Sequence, residues 1–193
     1  MKTLNKINKE ILHKLKPCIE RWKNYLEHYS DFDGSLAEFL KLDKISYTDK
    51  IWVSRQIVDR KIYIRWGALC AQSVLHIYEN KCPNDSRVRD CLDYLLSDGE
   101  KDITVILQHK HNCFAAGASY SFAVTSAAAA VTAAAAYAAA AYAVTAHSAT
   151  AAYSAATYAA AAAADDAAAD ASRSKQQGIN IELLISLLEK QHD

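Results

Sequence analysis

Apolar positions recur at threes and fours along most of the chain, and this spacing predicts helices. Leu4, Ile7, Ile11 and Leu15 form the first such set. Pro17 then ends one helix or opens another, and Ile19, Trp22, Leu26 and Tyr29 continue an apolar face. "DFDGS" reads as a turn. Ser35 and Glu38 have the capping-box spacing, which predicts a short helix through Leu42. From Ser46 to Asn80, residues Ile51, Arg55, Val58, Ile62, Trp66, Leu69, Ser73 and Ile77 keep helical spacing. They predict one long helix, kinked near Gly67. "KCPND" breaks it, and "SRVRDCLDYLLS" predicts the next helix, with Asp85 or Ser86 as N-cap. A helix resumes near Ile103, and "INIELLISLLEKQ" closes the chain as an amphipathic helix. With few strand signals, the fold class is all-α, a multi-helix bundle in a single domain over residues 1–193.

One stretch departs from this amphipathic pattern. Between Ala115 and Ala164 there is no Asp, Glu, Lys or Arg, and residues 115–171 hold 33 alanines in 57 positions. As one straight helix this region would span roughly 85 Å at about 1.5 Å per residue. A domain of this size has a radius of gyration of roughly 16 Å, so the region must fold back, with Gly117, Ser148–Thr150 and Asp165–Asp166 as candidate breaks. A membrane span fits poorly, because alanine buries little area and Thr, Ser, Tyr and His are scattered through the run. An ice-binding helix needs threonines every eleven residues, whereas these sit at 125, 132, 145, 150 and 157. The remaining reading is close helix packing: alanine has the best helix propensity and its single methyl lets helix axes approach closely. The expectation is therefore at least two central alanine-rich helices, buried against each other and against the Ser46–Asn80 helix.

The formal charge balances at 22 basic and 22 acidic residues, which argues against a dedicated nucleic-acid binder. Residues 1–114 carry 19 basic and 16 acidic side chains, and 115–193 carry 3 and 6, so the first part is mildly basic and the second mildly acidic. Cys18, Cys70, Cys82, Cys91 and Cys113 are odd in number and contain no CxxC, so neither a disulfide framework nor a zinc knuckle is expected. "MKTLNKINKEILHKLK" lacks the apolar core of a secretory signal. The expected setting is the reducing cytoplasm.

Little in the sequence carries chemistry. In "HKHNC", His109 and Cys113 lie one turn apart and could suggest zinc, but no fourth ligand is evident and His111 points elsewhere on the helix. No metal and no cofactor are expected. His147, alone in the charge-free run, reads as a core histidine or as a ligand or partner contact. "PNDSRVRD" is the most informative short motif: Asp85 can cap a helix, Arg87 and Asp90 lie at i, i+3, and Arg89 and Asp93 at i, i+4. It reads either as a solvated helix start or as an Arg–Asp network with Arg87 largely buried. No nucleophile triad, phosphate loop or carboxylate pair emerges, so no enzyme is expected.

These residues also carry a resemblance. "WGALCAQSVLHIYENKCPNDSRVRDCLDYL" resembles the core motif of immunity proteins of bacterial polymorphic toxin systems: Trp66, Cys70, Ala71, Val74 and Leu75, then Pro83, Asn84, Asp85, Arg87 and Arg89. Thr145, Ala146, His147, Arg173 and Gln176 fit further family elements. The family often has proline where Val88 stands, and a second histidine where Ala151 stands. The resemblance covers residues 45–177 as the family-like core. It leaves 1–44 outside as N-terminal helices, and 178–193 follow as a C-terminal helix. It implies an all-α cytoplasmic protein that binds and neutralises a cognate toxin. Asp85, Arg87, Arg89, His147 and Arg173 are candidate binding residues that could equally be structural. A helical scaffold or oligomerising protein, a homodimer among them, stays open, as does a small-ligand protein or enzyme using Asp85, Arg87 and His147.

Overall fold

Asn8 is where the first helix begins. Its Oδ1 accepts the Ile11 amide at 3.0 Å, a side-chain cap that starts α1 (Lys9–Lys14). A computed structural model describes residues 6–117 and 169–190. Lys6–Asn8 (β1) is extended and pairs antiparallel with Asp33–Ser35 (β2), Ile7 facing Gly34. The helical reading at Ile7 and the turn reading of Asp33–Ser35 within "DFDGS" are corrected here: a three-residue ladder is too short to show as an alternating pattern, and its buried Ile7 keeps the apolar spacing of a helix.

After α1, Lys16 takes a left-handed φ of 56°, Pro17 follows, and α2 (Ile19–Tyr29) starts. The proline therefore separates two helices, with the left-handed residue reversing the chain. Ser35 and Glu38 form the expected reciprocal capping box at the start of α3 (Leu36–Leu40). A Cβ at Gly34 would meet Glu38 Oε2 at 2.8 Å and the Phe32 ring at 2.9 Å, so the capping carboxylate and that ring would have to shift.

The long helix expected over Ser46–Asn80 is instead three: α4 (Tyr47–Ile57), α5 (Arg60–Gln72) and α6 (Leu75–Glu79). Val58 leaves the helix with ψ 139°, and Asp59 Oδ1 accepts the Lys61 amide at 2.8 Å, capping α5. The second break lies at Ser73–Val74, where the Ser73 hydroxyl bonds back to the Cys70 carbonyl at 2.7 Å. The helix runs straight on through Gly67. The apolar spacing continues through the first break: Val58, Ile62 and Trp66 are all buried. Then come α7 (Arg87–Leu96), α8 (Ile103–Gly117) and α9 (Ala169–Glu189). The protein is all-α apart from the short ladder. The expected alanine-rich central helices, their fold-back and His147 lie outside the described residues.

The residues gather into two compact units, residues 1–62 with 184–193, and residues 63–183. In the first, Leu12, Tyr25, Phe39, Leu40 and Val53 are core, and Arg21 pairs with Asp49 at 2.7 Å while lying over the Trp52 ring. Leu184, Ile185 and Leu188 are buried residues of the same unit. In the second, Trp66, Cys70, Ala71, Val74, Tyr78, Val88 and Leu92 are essentially inaccessible, and α7 packs along α8. Among the described residues no helix is long and apolar enough to cross a membrane.

Candidate functional site

The Pro83–Asp90 segment is built by a tight reversal. At the end of α6 the Tyr78 carbonyl accepts from the Cys82 amide at 2.9 Å, and the Asp85 amide bonds the Cys82 carbonyl at 3.1 Å. This returns the chain beside its own helix and brings Asp85 under the Tyr78 hydroxyl, which donates to Asp85 Oδ2 at 2.6 Å. Asp85 Oδ1 accepts the Arg87 amide at 3.1 Å and Arg87 Nε at 2.9 Å, while Arg87 Nη2 reaches Oδ2. One carboxylate thus caps α7, holds one edge of a planar guanidinium with its two oxygens and receives a buried phenol.

Ser86 occupies the N-cap position, but its hydroxyl turns to Asp90 at 2.8 Å. The capping work expected of either residue falls to Asp85. The i, i+3 and i, i+4 pairs do not form as expected. Arg87 reaches back to Asp85, and Arg89 reaches back to Glu79 at the end of α6. Side chains in a first helical turn lean toward the helix N-terminus, so both guanidinium groups point at the preceding loop and helix rather than up α7.

Burial divides this cluster. Tyr78 is fully buried and the Asp85 side chain is 16 % exposed, but the Arg87 side chain is 44 % exposed and that of Arg89 is 49 %. The expectation of a largely buried Arg87 is corrected: the buried members are the acid and the phenol, and the guanidinium lies at the surface. The Arg87 guanidinium, with help from the Tyr78 hydroxyl and the Arg87 amide, holds the Asp85 carboxyl well below the usual carboxylate range against its partial burial. Burial, then the bond to Asp85, pushes the Tyr78 phenol up.

A pH dependence follows. A depressed folded-state pKa gives stability that is complete above the unfolded carboxyl value, about 4, and is lost as pH falls toward the folded value. Urea midpoints measured at pH 7, 4 and 3 should therefore show wild type and Asp85→Asn converging as the pH drops. Glu38 and Asp43, also held low by hydrogen bonds, are common to both proteins and cancel. A constant gap across the three pH values would contradict this assignment.

The other sequence candidates scatter. His109 stacks on Tyr94 at 5.2 Å, His111 is exposed, and Cys113 turns its thiol to the Arg87 carbonyl at 3.6 Å. Among the described residues no group of three His, Cys, Asp or Glu side chains could hold a metal. Arg173 is exposed on α9, three residues before Gln176. Gln176 itself is 5 % exposed; its Nε2 donates to the Ser73 hydroxyl at 2.7 Å and to Asn180 Oδ1 at 2.9 Å. The Trp66 indole donates to the Asn180 carbonyl at 2.7 Å. This buried polar string holds α9 to α5 within the second unit. Ser73 was read from the sequence only as a helical position and Asn180 was not singled out; the available signal was two amides at i, i+4 on a helix whose next inward positions are Ile181 and Leu184. An apolar recess lined by Leu12, Trp22, Tyr25, Phe39 and Trp52 belongs to the first unit and involves none of the candidate residues.

Residues 55–184, which contain the whole α6–α7 cluster and the Trp66–Asn180 string, match the family model described as "Imm-5 like putative immunity protein". No match was found among curated proteins or among solved structures.

Proposed function

We propose that this chain, which belongs to the Imm-5 like immunity protein family, binds and neutralises the cognate toxin of a bacterial polymorphic toxin system in the cytoplasm. The observation that carries the reading is the family match over residues 55–184. The α6–α7 edge supplies a surface suited to it. The Arg87 and Arg89 side chains are each about half exposed, and each is held in place by a carboxylate of its own chain, Asp85 or Glu79. Arginines fixed in this way lose little side-chain freedom on binding, and arginine is enriched where protein partners make strong contacts.

The test is the Arg87→Glu, Arg89→Glu double variant against the product of the adjacent toxin gene. Because both side chains are surface groups, the variant should fold with a thermal midpoint within a few degrees of wild type. Its affinity measured by calorimetry should fall about tenfold or more. Undiminished binding by a folded variant would move the contact surface away from α7. Absence of any binding by wild type would overturn the toxin-neutralising reading itself.

A further inference from the structure

We propose that Cys91 and Cys113 form a redox-responsive pair that closes to a disulfide and staples α7 to α8. Each sits fully buried on its own helix, and the two helices pack together. The Cys113 thiol faces the first turn of α7, with its sulfur 3.6 Å from the Arg87 carbonyl oxygen. Cys91 stands four residues beyond Arg87, one turn further along the same face of α7. The Arg87 carbonyl is also the one that accepts the Cys91 amide in the helix, so both cysteines converge on it. The step to a disulfide is closure of the remaining gap to a bond of about 2.05 Å.

The same surroundings set the kinetics. The neighbouring Cys113 thiol and burial push the Cys91 thiol far above its ordinary range. The closed structure keeps Cys91 protonated and shielded from reagents, so exchange begins when α7 and α8 part locally. With a low-molecular-weight disulfide as oxidant, one cysteine thiolate attacks it and releases one small thiol, leaving a mixed disulfide. The second cysteine thiolate then attacks the protein sulfur of that adduct and releases the other small thiol. Two S–H bonds become one S–S bond, and the two electrons and two protons leave with the reagent. The staple forms beneath the helix start that carries Asp85 and Arg87. It is independent of the toxin reading.

The experiment uses the whole chain and oxidised glutathione in excess, without denaturant and at a urea concentration below the unfolding transition. Remaining thiols are alkylated, and the protein is digested and weighed without reduction. The exposed Cys18 serves as the internal control for reagent activity. The expected product is a linked Cys91–Cys113 peptide, formed faster in the mild urea. The thermal midpoint should rise by about 5 °C and return on reduction, and Cys91→Ser should lose that rise. Glutathione on Cys18 with Cys91 and Cys113 both recovered as alkylated thiols in urea, or as two separate adducts, would overturn the proposal.

Discussion

Trp66→Ala is expected to remove most of the stability of the second unit. The side chain is 0 % exposed, its ring lies 4.9 Å from that of Tyr63, and its indole donates to the Asn180 carbonyl across 114 residues of sequence. Emptying a buried tryptophan site costs about 3–5 kcal/mol. Withdrawing the donor from a buried carbonyl adds about 1–3 kcal/mol. The sum approaches the whole stability of an ordinary domain, about 5–15 kcal/mol. Trp66→Phe separates the two parts, because it keeps most of the ring volume and loses only the indole N–H and some packing. Urea unfolding followed by circular dichroism should rank wild type above Trp66→Phe and Trp66→Phe well above Trp66→Ala. Equal midpoints for the two variants would show that the hydrogen bond, not the ring, carries the effect.

Within the Asp85–Arg87 pair, the acid should matter far more than the base. Asp85→Ala leaves the buried Tyr78 hydroxyl without this acceptor, for about 1–3 kcal/mol. It also removes the carboxylate that caps α7, for about 1 kcal/mol. Arg87→Ala removes a half-exposed cation that returns to water, and exposed pairs contribute about 0–1 kcal/mol. Asp85→Ala should therefore lose about 2–4 kcal/mol while Arg87→Ala stays within about 1 kcal/mol of wild type. Matching losses in the two variants, read from urea midpoints, would mean that the guanidinium is as structural as the carboxylate. This ordering follows from an exposed guanidinium, not from the reading of the motif in which Arg87 is largely buried.

The sequence made the local signals plain and the distant ones obscure. The Ser35–Glu38 box, the Pro17 boundary and the Asp85 cap depend on residues within three positions of each other, and all three form. The apolar residues on which the resemblance was read, Trp66, Cys70, Ala71, Val74 and Leu75, are all buried. The division of Ser46–Asn80 into three helices was hidden because apolar residues keep their threes and fours across Val58–Asp59; Asp59 was readable only as another charge until its cap to Lys61 appeared. The partners of Arg87 and Arg89 were misplaced because helical spacing favours neighbours up the helix, whereas the chain reversal at Cys82–Asp85 places the nearest acids behind them. The Ser73–Gln176 bond spans 103 residues, and no local pattern encodes it.

The first unit draws Leu184, Ile185 and Leu188 into residues whose other members precede position 63. On the ribosome these parts are made at opposite times. The residues before position 63 must wait for these three while more than a hundred further residues emerge. Translation thus imposes an interval in which the earlier segment lacks part of its unit, and the completion of that unit is a late event. A chain interrupted before Leu184 would be left with that unit permanently unfinished, so aborted products are marked for chaperones and proteases by their own exposed core.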